Sequence, residues 1–390
     1  MIGPTSFGGR RGMVVACVLA AWSACAAAQA PTAKGSEGVS STVIKLGQTA
    51  DLSGSRAANT KEFNAGALAY FDAVNRGGGV SGRKIELVSL DDAYKVERSV
   101  ANAKALVEEH KVFAIFATVG TENFRAVEAY TTPAKIPFFA PSTGAEVLRA
   151  PLKRYVFPVR AGYHAEMEKI IQHLSTIGIT RIALVYDDDS FGKDILVGVE
   201  RSLAKRSLKL ADAASFDREG KQIGAVAKKI AAGAPQAIIV GTAGKTALQF
   251  VKEMQALGTQ TTFYMNSGVN IASLTGELKE AARGIAIVQL MPAVTDAGAV
   301  IALEYKKAAE GRAGTPLTPK GLEGYVSAKI FVEALRRAGK DLSSETFVRA
   351  MEGMQNYDLG GIIVSYSPTD HAGLTFVDLA VVSQSGKLLR

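Results

Sequence analysis

Two short polar loops carry the side chains in this sequence that are best suited to binding a ligand. Thr118-Val119-Gly120-Thr121 and Ser142-Thr143-Gly144 each follow an apolar run that predicts a buried strand. Ligands of α/β proteins bind at the carboxyl ends of parallel strands, so both loops lie where a site is expected. Thr121 directly precedes a predicted helix, and its N–H and hydroxyl, with those of its neighbours, predict a carboxylate site. Gly120 would let a ligand approach the backbone, and a routine helix cap and turn is the alternative interpretation.

The same order of landmarks recurs later in the chain. Phe113–Ser142 and Gln236–Ser267 both run strand, polar loop, helix, strand and polar turn, with nearly equal spacing. In the second copy the loops are Gly241-Thr242-Ala243-Gly244 and Asn266-Ser267-Gly268. A repeat of this length predicts two similar α/β lobes rather than a solenoid. Loops facing each other across a cleft, with Thr242 and Ser267 on the second lobe, would form a ligand clamp.

Few groups suited to catalysis or metal binding occur after residue 30. The histidines have no paired metal spacing, both cysteines lie before residue 30, and neither a Gly-x-Ser-x-Gly elbow nor a phosphate-binding glycine loop is present. The glycine run at 77–82 precedes a strand, so it predicts a helix stop rather than a dinucleotide site. We predict that the protein is not an enzyme and uses no metal and no cofactor.

An acidic cluster, Asp187-Asp188-Asp189, follows a predicted strand and leads into a predicted helix. Carboxylates at this position cap a helix or remain solvated in many proteins, and they can also contact a ligand amine or a divalent ion. Helix capping is the preferred interpretation, because no second set of metal ligands is evident.

The first 30 residues predict a cleaved signal peptide. Arg10 and Arg11 precede an apolar stretch that ends in Ala28-Gln29-Ala30, a pattern that a signal peptidase would cut. A twin-arginine signal, or lipidation of Cys17 or Cys25, are the alternatives. Residues 31–42 predict a linker, and the protein is expected in the periplasm.

The net charge of +8 does not point to nucleic acid. Lysine and arginine are interspersed with acids along predicted helices, and no basic block is interleaved with aromatic residues. Strands alternate with helices from residue 43 onward, which predicts parallel sheets covered by helices on both faces. We predict a first lobe at 43–160 and 290–358, and a second lobe at 161–289 and 359–390.

Four segments, in this order and spacing, resemble periplasmic solute-binding proteins of the leucine/isoleucine/valine-binding type, which serve ABC importers. They are Ile44–Gly54, Asn75–Arg83, Pro137–Gly144 and Arg181–Gly192. The resemblance implies a type I periplasmic binding protein fold. Its two Rossmann-like lobes are mainly parallel sheets flanked by helices, joined by a three-strand hinge and closing on a ligand. It also implies that the loops at 118–121 and 142–143 hold a carboxylate, that Phe191 lines the cleft, and that Tyr163 lies at the lobe crossing.

The resemblance further implies a monomer that binds a small molecule, an amino acid, carboxylate or amide, and delivers it to permease subunits. A sensor that presents its closed form to a membrane receptor kinase is the alternative. One departure bears on the ligand: amino-acid binders of this type carry an acid in the loop at 266–268, where this chain has Ser267. A buried ammonium without a countercharge is costly, so a carboxylate lacking the amine is favoured, unless Asp188, Asp189 or another acid substitutes.

Overall fold

The computed structural model describes Met1, Gly3 and residues 36–390. The predicted signal peptide at 1–30 therefore falls outside the described residues except at Met1 and Gly3, as does the predicted linker up to residue 35. Within the described part of the chain, no helix is both long enough and apolar enough to cross a membrane.

The first half of the chain builds a parallel sheet of five strands in the order β2-β1-β3-β4-β5. The strands are β1 (Val43–Ala50), β2 (Lys84–Asp91), β3 (Ala114–Phe116), β4 (Phe138–Phe139) and β5 (Val156–Phe157). Three helices connect them: α1 (Ala57–Arg76), α2 (Val96–Glu108) and α3 (Thr121–Thr131). The strand β3 is wholly buried, as expected for a parallel strand covered on both faces.

The first helix begins earlier than the sequence predicts. Its apolar spacing starts at Phe63, but the helix begins at Ala57. The added turn is polar because it faces the cleft between the two sheets instead of the core. This difference places Arg56 and Asn59 at a functional position that the apolar pattern did not indicate.

The chain then builds a second sheet in the same manner. Its parallel strands are β6 (Ile182–Asp187), β7 (Asp212–Phe216), β8 (Ala237–Gly241), β9 (Thr262–Met265) and β10 (Ala286–Gln289). The helices are α4 (Tyr163–Thr176), α5 (Ser190–Ala204), α6 (Ile223–Ala232), α7 (Lys245–Ala256) and α8 (Ile271–Leu278). Continuous apolar runs such as 237–240 predict these strands correctly, since β8 is buried throughout.

The following helices return to the first sheet. They are α9 (Val300–Glu310), α10 (Pro319–Ala338) and α11 (Ser344–Glu352). Glycines bring α10 unusually close to α1: a Cβ on Gly66 would overlap the carbonyl oxygen of Gly321, and one on Gly324 would overlap that of Phe63. This close packing sets the first turn of α10, including Lys320, beside the cleft.

Short antiparallel strands complete the described chain. Strands β11 (Tyr357–Asp358), β12 (Ile363–Ser367) and β13 (Asp370–Gly373) form a small sheet, while β14 (Asp378–Val382) and β15 (Leu388–Leu389) extend the second large sheet beyond β10. Leu359, Val364 and Leu374 pack into the core of the first sheet, although the predicted second lobe begins again at 359. The exact lobe boundaries stay a prediction.

The chain thus passes between the two large sheets at 158–162, at 290–299 and at 374–377. The carboxyl ends of the parallel strands of both sheets face a common cleft, where the loops singled out in the sequence come together.

Candidate functional site

A cavity of about 50 Å³ lies in the cleft and is lined by residues from both sheets. The first sheet and its helices contribute α1, the loops at 117–121 and 142, and Lys320, whereas the second contributes Phe191, Ala243 and Gly268. Arg160 and Tyr163 come from the crossing segment between them. The cavity is therefore formed only when both halves of the molecule are in contact.

The structure places most of the predicted site residues at this cavity. Gly120, Thr121, Ser142, Tyr163 and Phe191 line it. The remaining four lie behind or beside the wall: Thr118 and Thr143 are fully buried, Thr242 is bonded to Asp187, and Ser267 is bonded to Glu166. Their roles toward a ligand remain predictions.

Thr121 begins α3, and Gly120 immediately before it has a φ of 97°, a left-handed conformation that glycine adopts without strain. The Thr121 and Thr143 hydroxyls are 2.7 Å apart and hydrogen-bonded, and the Gly120 N–H donates to the Ser142 carbonyl at 3.4 Å. The two predicted loops therefore form one unit. The positive end of a helix of this length attracts an anion.

Lys320 adds a positive charge to the same end of the cavity. Its Nζ donates to Ser142 Oγ at 3.3 Å and to Glu323 Oε2 at 2.8 Å. Burial lowers the pKa of Lys320, although the neighbouring Glu323 carboxylate opposes this effect. Burial would raise the pKa of Glu323, but the Lys320 and Arg160 cations outweigh it and hold the pKa below its usual range.

Arg56 stands at the opening of the cleft, where α1 begins. Its Nη2 lies 3.3 Å from Asp187 Oδ2, and its guanidinium lies 5.1 Å from the centre of the Tyr94 ring. Burial lowers the pKa of Arg56, yet Tyr94 and Asp187 more than compensate, so that pKa is raised overall. Burial raises the pKa of Asp187, with Arg56 and Thr242 opposing the rise.

Aromatic rings enclose the rest of the space. Tyr163 and Phe191 meet edge to face with ring centres 5.1 Å apart, and Phe63 lies 5.5 Å from Lys320 Nζ. Such rings supply apolar contact to a ligand and favourable interaction with the cations beside it.

The acidic cluster at 187–189 divides into three different environments. Asp189 caps α5 by accepting from the Gly192 N–H at 3.0 Å, which agrees with the capping interpretation. Asp188 is exposed and pairs with Lys193 at 3.0 Å, and Asp187 pairs with Arg56. No group of three or more histidine, cysteine, aspartate or glutamate side chains in the described chain is arranged to hold a metal ion.

Direct hydrogen bonds join the two sides of the cleft. Asn59 Nδ2 on α1 donates to the Gly268 carbonyl at 2.8 Å, and Asn270 Nδ2 donates to Asn59 Oδ1 and to Glu62 Oε1, each at 2.9 Å. With the Arg56–Asp187 pair, these bonds hold the two sides together, so the structure represents a closed cleft.

Sequence reasoning missed the cationic residues of the site: Arg56, Arg160 and Lys320. Arg56 precedes the apolar stripe of its helix, and Arg160 lies on a crossing segment without periodicity. Lys320 belongs to a helix well beyond the internal repeat and reaches the cleft only through the packing of α10 on α1. Thr318 caps this helix and Pro319 is its first residue, a pair that favours a helix start, but nothing local indicates what this end of the helix faces.

Comparison with known proteins places this architecture among binding proteins. A family model described as "Periplasmic binding protein" matches residues 43–387. An amino acid binding protein of Pseudomonas aeruginosa is 24% identical over 245 residues, which cover 62% of this chain. That alignment spans 64% of the relative. A leucine-, isoleucine-, valine-, threonine- and alanine-binding protein of the same organism is 22% identical over 62% of this chain, and the alignment spans 65% of that relative. The chain therefore matches slightly less than two thirds of the length of either relative.

Solved structures agree over a longer part of the chain. A substrate-binding periplasmic protein from Ralstonia solanacearum is 33% identical with a TM-score of 0.82, covering 89% of this chain and 99% of the other. A branched chain amino acid ABC transporter structure from Thermus thermophilus with bound valine has a TM-score of 0.80 at 16% identity, covering 90% of this chain and 96% of the other. At that identity the likeness shows the fold alone.

Proposed function

Because the chain belongs to the periplasmic binding protein family, we propose that it is the solute-binding component of an ABC-type importer and captures a small organic carboxylate. Members of the family bind small molecules, and the chain is a binding protein rather than an enzyme. The curated relatives bear names that refer to amino acids. Our proposal for this chain is a carboxylate without an ammonium group.

One observation carries the choice of ligand. The cavity is lined by three cationic side chains, the buried Arg56 and Arg160 and the partly buried Lys320, each paired with an acid outside the lining, and no aspartate or glutamate is among its lining residues. An ammonium group brought into this space would lose its hydration and gain no countercharge, which is unfavourable. A carboxylate would instead accept hydrogen bonds from charged donors, which are stronger than neutral ones.

The first-sheet loops support the orientation of this carboxylate. We propose that it sits at the start of α3 against Thr121 and Ser142, with Lys320 as the nearest full positive charge. The apolar part of the ligand would then lie between Tyr163 and Phe191. Thr118 and Thr143 would act from behind, by holding the loops in place.

Closure of the cleft completes the proposed cycle. Ligand favours the closed form because residues from both sides line the cavity, and a ligand shifts an equilibrium by its differential affinity for the two states. The permease subunits of the importer would recognise the surface of the closed form. We also propose that residues 1–30 are the signal that brings the protein to the periplasm.

The test is a thermal-shift screen of the purified protein, unfolded and refolded first to remove carried-over ligand. The panel contains aliphatic and aromatic carboxylates, amino acids, amides and sugars. A ligand at about 100 times its dissociation constant adds roughly 2.7 kcal/mol, which raises the melting temperature by several degrees. Stabilisation by carboxylates and not by amino acids is expected.

Other outcomes separate the parts of the proposal. Stabilisation by amino acids alone would leave solute binding intact and overturn the carboxylate assignment. No stabilisation by any compound would contradict the binding role itself. Uptake of the identified carboxylate should be lost on deletion of the gene, and unchanged uptake would refute the link to an importer.

A further inference from the structure

The guanidinium of Arg160 is fixed in the wall of the cleft. Its Nη2 donates to Glu166 Oε1 at 2.8 Å and also to Ser267 Oγ. Arg149 Nη2 donates to the backbone carbonyl of Arg160 at 2.6 Å, which anchors the crossing segment itself. Only 3% of Arg160 is exposed, so its ion pair with Glu166 is shielded from bulk water.

The acid beside Ser267 is already neutralised by this arginine. Glu166 is fully buried, and its carboxylate accepts from the Ser267 N–H at 2.9 Å and from the Ser267 hydroxyl at 2.8 Å, in addition to Arg160. It does not line the cavity. Glu166 therefore compensates a cation that belongs to the protein, and is not free to compensate one on a ligand.

Two donor atoms on the cationic side chains of the cavity remain without a partner. Arg160 Nε and Arg56 Nη1 are both buried and make no hydrogen bond. Buried donors, especially on charged groups, are nearly always paired in native proteins, because leaving them unpaired is costly. Both residues line the same cavity, so a ligand there is well placed to supply the missing acceptors.

We infer that the ligand carries, besides its carboxylate, a second acceptor oxygen that Arg160 recognises, as in a 2-oxo acid or a short dicarboxylate. This inference rests on the proposed function and specifies its ligand class. Arg160 is then the residue that determines specificity: its Nε–H favours an oxygen acceptor, and a guanidinium has no acceptor to offer an ammonium at the same place.

The test compares compounds of equal skeleton by titration calorimetry. One set is 3-methyl-2-oxobutanoate, 3-methylbutanoate and valine, and the other is succinate, butanoate and 4-aminobutanoate. In at least one set, the compound with the second acceptor should bind at least tenfold more tightly than the plain carboxylate, since a charged donor gains a partner. The amine should bind most weakly in that set.

An Arg160→Lys variant keeps the positive charge and removes the Nε–H. It should retain carboxylate binding and lose most of the preference for the second acceptor. The matched control is Arg206→Lys, because Arg206 lies just beyond α5, pairs with Glu168 on α4 and does not line the cavity. That control should keep the wild-type preference.

The outcomes distinguish this inference from the function on which it rests. Equal affinity for plain and doubly functional acids in both sets would overturn the role of Arg160 and leave carboxylate binding standing. A preference that survives unchanged in Arg160→Lys would overturn it as well. Tightest binding of an amine would overturn both the inference and the carboxylate class, and no binding by any of the six compounds would reject the proposed ligand class altogether.

Discussion

Arg56 and Asp187 form an ion pair across the cleft, with Arg56 Nη2 3.3 Å from Asp187 Oδ2 and both side chains at most 9% exposed. Arg56 immediately precedes α1, which packs beside the first sheet, and Asp187 ends β6 on the second. Thr242 Oγ1 donates to the other carboxylate oxygen at 2.6 Å. The pair exists only while the cleft is closed, so it links the conformation of the protein to the charge at the cavity.

Replacing Asp187 should shift the protein toward an open form. An Asp187→Asn variant keeps the size of the side chain and removes its charge, which leaves Arg56 without a countercharge in the closed state. We expect a larger radius of gyration of the ligand-free protein by small-angle X-ray scattering. Affinity for the tightest carboxylate of the screen should fall about tenfold, or about 1.4 kcal/mol.

The neighbouring aspartate provides the control for this substitution. Asp188 is exposed and pairs only with Lys193, and exposed pairs contribute little. Asp188→Asn should therefore scatter and bind like the wild type. If Asp187→Asn also keeps both properties, the ion pair does not contribute to closure.

A hydroxyl at the start of α3 should contribute to ligand affinity. Thr121→Val preserves the shape of the side chain and the backbone N–H but removes the Oγ1 that bonds Thr143 and borders the cavity. We expect a roughly five- to thirtyfold loss of affinity, on the order of 1–2 kcal/mol, with little change in melting temperature. Thr176→Val, at the exposed end of α4, should leave calorimetric affinity unchanged. Wild-type affinity in Thr121→Val would remove Thr121 from the site.

The fold was largely predictable because alternating strands and helices leave a strong pattern. The predicted α/β fold of two parallel-dominated sheets flanked by helices is confirmed by the model and its structural neighbours, as is the resemblance to periplasmic binding proteins. Strand ends also predict where polar loops gather, which is why the position of Thr121 and Ser142 in the cleft could be predicted from sequence.

The charge of the cavity was not predictable from local pattern. Lys320 is separated from Ser142 by 178 residues and reaches it through the glycine contacts of α1 and α10. Glu166 lies in α4, and its bond to Ser267 depends on how that helix packs beside the loop after β9. Long-range packing of this kind has no signature at a single sequence position.

Glycine at position 120 should be required for more than its backbone conformation. Gly120 has a φ of 97°, and a Cβ there would lie 2.6 Å from Cε2 of Tyr94, a residue that also lines the cavity. Gly120→Ala should therefore displace Tyr94 and reduce ligand affinity at least tenfold, by calorimetry. Backbone strain alone should cost about 1 kcal/mol of stability.

An alanine at position 78 is the control that introduces similar backbone strain without a steric clash. Gly78 has a φ of 96°, nearly that of Gly120, but a Cβ there would meet nothing within 4 Å. Gly78→Ala should lose similar stability and keep full affinity. Equal affinities in the two variants would show that the contact with Tyr94 is unimportant for binding.

Glu168 should make the stability of the protein depend on pH in the acidic range. Hydrogen bonds from Arg206 at 2.7 Å and Lys205 at 3.0 Å lower the pKa of Glu168 to about 2. A carboxyl whose pKa is lower in the folded than in the unfolded state stabilises the fold above the unfolded value of about 4.3. That stabilisation is lost as the pH falls toward 2. Because the side chain is 31% exposed, solvent screening limits the contribution to about 1 kcal/mol.

Urea unfolding of Glu168→Gln and wild type between pH 3 and pH 6 measures this contribution. The wild type should be more stable by about 1 kcal/mol at pH 6. The difference should shrink only as the pH falls below about 4.3, because the unfolded wild type then binds a proton that the folded protein, with its lowered Glu168 pKa, does not. Glu219→Gln, which alters an exposed glutamate between β7 and α6, should show a difference that does not vary with pH. A constant difference for Glu168→Gln across the range would mean that the arginine and lysine contacts do not hold the folded carboxylate in its charged form.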